Sequence, residues 1–124
     1  MSIKKTTLVI GASENPDRYS NKAIKALIQH QHPVLALGLR IGNVNGVEIA
    51  TNLNNFKNEP IDTITLYINP KLQVPFYNEF IALNPKRVIF NPGTENEFFE
   101  SLLNAQGIET EEACTLVLLG TGQY

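Results

Sequence analysis

Short apolar runs of strand type alternate with amphipathic stretches of helical period along the whole chain, and that alternation predicts an α/β fold. The first run, Leu8, Val9 and Ile10, is uninterrupted, as in a strand buried on both faces. Each main strand then passes into a helix through a short polar loop. The expected architecture is three-layered: an open, mostly parallel sheet of about five strands with helices on both faces. Right-handed crossovers put the first strand centrally and bring the loops after Ile10, Ile68 and Phe90 to one edge.

The chain is organised around residues 6–22, T-T-L-V-I-G-A-S-E-N-P-D-R-Y-S-N-K. Gly11, Ala12 and Ser13 end the first strand. From Ser20 a helix is expected, with Ala23, Ile24, Leu27 and Ile28 on its buried face and Asn21, Lys22, Lys25 and Gln29 on the other. A strand, a small-residue loop and a helix in this order set peptide N–H groups and the positive end of a helix dipole where phosphates bind. A dinucleotide fingerprint would carry G-x-G-x-x-G, and only Gly11 of it is present. A plain strand-to-helix turn, with Gly11 supplying an unusual backbone angle and Ser13 or Ser20 capping the helix, accounts for the same residues. Ser13, Asn15, Arg18, Tyr19 and Ser20 favour a ligand, because they concentrate donors, a cation and an aromatic ring where packing requires none.

Beyond the first helix, Pro33 breaks the pattern and residues 34–37 read as a second buried strand. His30 and His32 share no helix face and have no third ligand nearby, so they read as solvated helix-end residues and not as a metal site. Residues 38–51 contain Gly38, Gly42 and Asn45-Gly46, a loop with a tight turn or a small hairpin. At the tip of the second strand a dinucleotide fold reads the ribose, an acid pairing with a free hydroxyl and an arginine with a ribose phosphate. Here the tip is Ala36-Leu37-Gly38-Leu39-Arg40. Arg40 is either a solvated loop residue or the partner of a phosphorylated ribose, as in NADP or coenzyme A; NAD is disfavoured.

Residues 53–57 suit a short helix or turn, and residues 61–68 a third strand rich in β-branched side chains. After Asn69-Pro70, the spacing of Leu72, Phe76, Phe80 and Leu83 predicts a helix with Pro75 in its first turn. Residues 87–90 form a fourth strand, and Thr94 with Glu97 reads as a capping box opening a helix whose buried face is Phe98, Phe99, Leu102 and Leu103. Gly107 ends it. Residues 108–110 supply a last short strand. The apolar run 113–119 is assigned to a short helix, with Cys114 as a small buried hydrophobe.

A chain of 124 residues with 43% hydrophobic residues has the size of one domain, taken as 1–124, and enough apolar material for its own core. The net charge of −2 lacks the basic footprint of a nucleic-acid binder. No run approaches membrane-spanning length, and the start of the chain does not fit a signal peptide, so the expected location is cytoplasmic. One cysteine excludes an intrachain disulfide framework.

The set V-I-G-A-S-E-N-P-D-R-Y-S, the Asn45-Gly46 turn, F-N-P-G-T-E-N at 90–96 and the closing A-C-T-L-V-L-L resemble the small stand-alone coenzyme A-binding proteins, related to the coenzyme A-binding domain of the succinyl-CoA synthetase alpha subunit. The resemblance runs over nearly the whole chain and implies a Rossmann-like fold. It implies a pyrophosphate over Gly11, Ala12, Ser13 and Pro16, with Ser20 opening the helix. Adenosine would reach Leu39 and Arg40, and the pantetheine arm would run past Asn69 toward Pro92, Gly93 and Asn96. Many relatives resemble one another in an asparagine-proline pair at the second strand's end, which this chain lacks. The synthetase's catalytic histidine would need a separate domain, which is not expected within these 124 residues.

No base is placed against a nucleophile in this reading: Ser13 has no histidine or aspartate beside it, and both histidines fall at the opposite sheet edge. The expectation is therefore a non-catalytic module for coenzyme A or acyl-CoA, with no catalytic residues. The alternatives are an NADP-dependent reductase, or a subunit of one, and an interaction domain with a vestigial loop. A homodimer or a partner enzyme is left open.

Overall fold

The computed structural model describes residues 3–124. A seven-stranded sheet forms its middle layer: β1 (Thr7–Ala12), β2 (Val34–Gly38), β3 (Gly42–Val44), β4 (Val47–Ala50), β5 (Thr63–Leu66), β6 (Arg87–Phe90) and β7 (Glu109–Glu112). Their order across the sheet is β3-β4-β2-β1-β5-β6-β7, and every pairing is parallel except β3 with β4. β1 is central, as the alternation requires. The count exceeds five because residues 42–50 close into a hairpin about Asn45-Gly46, both at positive φ, and β4 then adds to the free edge of β2.

Successive side chains of β1 explain the two covering layers. Leu8 and Ile10 point into a cluster with Phe80, Phe90, Phe99 and Leu103, under α3 (Tyr77–Ala82) and α4 (Glu97–Ala105). Val9 points the other way, into a cluster with Ile24 and Leu27 of α1 (Tyr19–Gln29) and Leu119 of α5 (Thr115–Gly120). Fully burying a Leu, Ile or Phe side chain stabilises a fold by roughly 1.5–3 kcal/mol, so one unbroken apolar strand anchors both faces. The helix assigned to 113–119 is there as α5.

Other expectations need correction. The helix after Asn69 starts at once as α2 (Pro70–Gln73), capped by Asn69, whose side chain accepts from the Leu72 N–H at 3.0 Å. Pro75 therefore falls in mid-course, in a tighter turn (Val74–Phe76) before α3, because its missing N–H cannot continue the α-helix. Leu72 is thereby turned outward and exposed. The third strand is shorter than expected, since only Thr63–Leu66 lies between two partners. Thr94 opens no helix: its hydroxyl donates to the Asn91 carbonyl, and α4 begins at Glu97 with Asn96 as cap. That shift sets Phe98 on the solvent side. Cys114 is half-buried as the residue preceding α5, and Asn21, expected on the wet face of α1, is buried. His30 is exposed at the end of α1 as expected. His32 is half-buried, accepting from the Lys5 N–H at 2.9 Å and lying 4.9 Å from the Tyr124 ring.

Candidate functional site

Parallel strands end on the same side, so the loops after β1, β2, β5 and β6 line one edge of the sheet. Gly11 shapes the first of them. It sits at φ +90, and a Cβ there would lie 3.0 Å from the Tyr67 carbonyl oxygen and 3.1 Å from Ile68 Cγ2. Only glycine satisfies both the angle and the contact. Ala12 is the buried last residue of β1, opposite Gly38 across an irregular register.

Residues 13–18 are held by hydrogen bonds among themselves. The Asn15 N–H donates to Ser13 Oγ (3.1 Å), the Asp17 N–H to Asn15 Oδ1 (3.0 Å), and the Arg18 N–H to the Asn15 carbonyl (3.1 Å). Two bonds tie the loop down from outside: Asn21 Nδ2 donates to the Ser13 carbonyl at 2.9 Å, and the Asn43 N–H donates to Glu14 Oε2 at 2.9 Å. Asn15, Pro16 and Arg18 are exposed. Arg18 precedes α1 in extended conformation, and no side chain caps that helix. Neither Ser13 nor Ser20 does so; Ser20 is buried in the first turn. Tyr19 stands exposed there, with Lys22 Nζ 5.1 Å from its ring centre. The start of α1 thus offers backbone donors, two cations and an aromatic face to the solvent side of the sheet edge.

Leu39 and Arg40 follow β2, one strand to the side of this loop, and both are exposed. On the other side lie the loops after β5 and β6. Gln73, buried, joins them by donating through Nε2 to the Ile68 carbonyl (3.0 Å) and the Thr94 carbonyl (2.8 Å). Pro92 and Gly93 are exposed; Gly93 has φ +93, its N–H donates to Glu95 Oε1, and a Cβ there would meet nothing within 4 Å. Asn96 is committed inside the protein. It caps α4 by accepting from the Phe99 N–H (3.1 Å), and its Nδ2 donates to Gln73 Oε1 (3.0 Å) and Tyr77 Oη (2.8 Å).

Beneath this edge lies a polar cluster that the sequence did not reveal. Asn91 Nδ2 donates to Thr65 Oγ1 (2.7 Å) and the Leu66 carbonyl (2.9 Å), while its Oδ1 accepts from the Thr115 N–H (2.9 Å). Thr65 and Thr115 share a bond of 2.8 Å. The Tyr67 phenol is buried without a hydrogen bond, and burial pushes its pKa up to about 12. An asparagine closing a buried strand is the only sequence signal for this cluster; its partners lie 24 to 26 residues away.

Among the described residues no three His, Cys, Asp or Glu side chains could share a metal ion, and no helix is long and apolar enough to cross a membrane. A concavity of about 350 Å³ borders the β3–β4 hairpin, lined by Ile41, Gly42, Asn43 and Glu48 among others. Another, of about 550 Å³, lies on α4 among Glu97, Glu100, Ser101, Asn104 and Glu112. Glu100 Oε2 is buried there without a partner. Burial first, then the neighbouring carboxylate of Glu112, raise the Glu100 pKa to about 7.

The sequence pattern of a family described as a CoA-binding domain matches residues 5–120. The chain belongs to that family. A crystal structure of an uncharacterized protein is 42% identical, covering 99% of this chain and 100% of its own, with a TM-score of 0.89. A Thermus thermophilus protein, 24% identical, superposes with a TM-score of 0.86 over 98% of this chain and 91% of its own. Part of a dinucleotide-forming acetyl-coenzyme A synthetase of Ca. Korarchaeum cryptofilum, solved with phosphate and ADP, shares the fold (TM-score 0.71, 13% identity) over 88% of this chain and 25% of its own. No curated protein matches the sequence.

Proposed function

We propose that this member of the CoA-binding domain family holds coenzyme A or a short acyl-CoA as a carrier or sensor, without doing chemistry on it. The observation that carries the reading is the start of α1: a helix with no side-chain cap, following Gly11 and a loop whose exposed residues include Asn15 and Arg18. The pyrophosphate rests over residues 11–18 against the uncapped start of α1, whose first-turn N–H groups and dipole favour an anion. Arg40 faces the ribose phosphate, and the pantetheine arm passes Asn69 toward Pro92 and Gly93. The open space over Gly93 suits a ligand that runs close to backbone. Asn96 shapes this wall through its bonds to Gln73 and Tyr77. The histidines support a binding role, since His32 is bound to the backbone of Lys5 at the opposite edge.

Calorimetry with coenzyme A and dephospho-coenzyme A tests the reading. Wild type should prefer coenzyme A, and Arg40→Ala should weaken coenzyme A roughly three- to tenfold while leaving dephospho-coenzyme A unchanged, as expected for one charge-assisted contact. No binding of either ligand would end the proposal. Arg40 would serve the ribose phosphate of NADP equally well, so an NADP-dependent reductase is the second reading; consumption of NADPH with a panel of carbonyl compounds would put it first.

A further inference from the structure

We propose that Glu14 is a positioning residue for this site, latching the β3–β4 hairpin to the first loop and thereby fixing the segment that carries Arg40. Resting on the coenzyme A reading, it starts from a bond across 29 residues: the Asn43 N–H donates to Glu14 Oε2 at 2.9 Å. Gly42 makes room for it. A Cβ on Gly42 would lie 2.6 Å from Glu14 Cδ and 2.7 Å from Cγ, while the residue has no positive φ that demands glycine. Four positions earlier, a Cβ on Gly38 would overlap the Ala12 carbonyl oxygen. Two close approaches to the first loop thus bracket residues 39–41. The side chains between them stand in solvent, Leu39 99% and Ile41 82% exposed. A segment pinned at both ends and bare between them presents Arg40 at a set place.

The hairpin needs such a tie. β4 joins β2 through only two residue pairs, Ala36 with Ile49 and Leu37 with Ala50, and β3 is the edge of the sheet. A short edge with few bonds opens at low free-energy cost. The bond also governs where the Glu14 charge sits. A free carboxylate next to a bound pyrophosphate would repel it, and the Asn43 N–H directs Glu14 toward the hairpin instead.

Glu14→Ala and Glu14→Gln both remove the charge, but only Gln keeps an acceptor for Asn43, so their comparison isolates the latch. Glu14→Ala should bind coenzyme A roughly two- to fivefold more weakly than Glu14→Gln, a part of what removing Arg40 itself would cost. The loss should vanish with dephospho-coenzyme A, because it acts through Arg40. Gly42→Ala, displacing the Glu14 side chain, should reproduce the weakening. Exchange of the Asn43 amide, followed by NMR, should speed up in Glu14→Ala and Gly42→Ala and stay slow in Glu14→Gln. Equal affinities of the Ala and Gln variants, or an equal loss with dephospho-coenzyme A, would overturn the positioning role. Unchanged Asn43 exchange in Glu14→Ala would overturn the latch itself. Wild type that binds neither ligand would instead end the coenzyme A reading, and the role of Glu14 with it.

Discussion

At the end of β1 the loop 13–18 is held chiefly by bonds among its own residues and runs into a helix that no side chain caps. At the end of β6 the loop 91–96 is tied to five other elements: Asn91 reaches β5 and α5, Asn96 caps α4 and reaches Gln73 of α2 and Tyr77 of α3, and Thr94 lies buried between them. Both loops join a strand to a helix and both are rich in asparagine and proline. They differ in where their polar groups are spent. The second loop spends its side chains on neighbouring elements and on capping α4, whereas the first spends its own chiefly on itself and leaves the start of α1 uncapped. An open helix start on a rigid sheet edge is a place to receive an anion, and a closed one is a place to support it.

Asn91→Ala should break the supporting side most severely. It removes three hydrogen bonds and leaves the Leu66 carbonyl and the Thr115 N–H without that partner in a buried region, a loss of about 3–5 kcal/mol by the usual cost of such groups. Urea unfolding measures it; a change under about 1 kcal/mol would mean that the cluster is not what holds this edge. Gly11→Ala should strike the receiving side. A non-glycine residue at φ +90, pressed on the Tyr67 carbonyl, should cost roughly 2 kcal/mol of stability and also weaken coenzyme A, because the loop must shift. Tight binding by this variant would show that the loop does not carry the ligand.

The smallest effect is a pH dependence in α4, the helix that the closed loop starts. Glu100 has its pKa raised from 4.5 to about 7 by burial and by Glu112, so the folded state holds a proton that the unfolded state has released. Its contribution is fully present below about pH 4.5 and is lost as the pH rises through about 7. The melting temperature should therefore fall over that interval, and Glu100→Gln, which cannot ionise, should flatten the fall. An identical profile in the variant would refute the assignment. The receiving loop should take no part in this titration, so coenzyme A affinity should follow the same pH course in the variant as in wild type.

Much of the layered fold was legible in local pattern. Leu8, Val9 and Ile10 announce a strand buried on both sides, Ala23, Ile24 and Leu27 announce the helix after it, and the alternation of such units places β1 in the middle. These depend on side chains close in sequence and on a burial rule that needs no knowledge of partners. The backbone demands of Gly11 and of the Asn45-Gly46 turn were equally local. The roles of the asparagines were not. Asn15, Asn69, Asn91 and Asn96 all read as polar residues at strand ends, and only the assembled sheet decided that Asn91 faces inward, that Asn69 and Asn96 cap helices, and that Asn15 stays exposed. The same holds for Glu14, whose partner lies 29 residues on, and for Leu72 and Phe98, turned outward once Pro75 and the Asn96 cap reset the helix starts. A hydrogen-bond partner or a neighbouring face is a property of the folded arrangement. Sequence spacing carries the period of an element, and tertiary structure alone decides what that element meets.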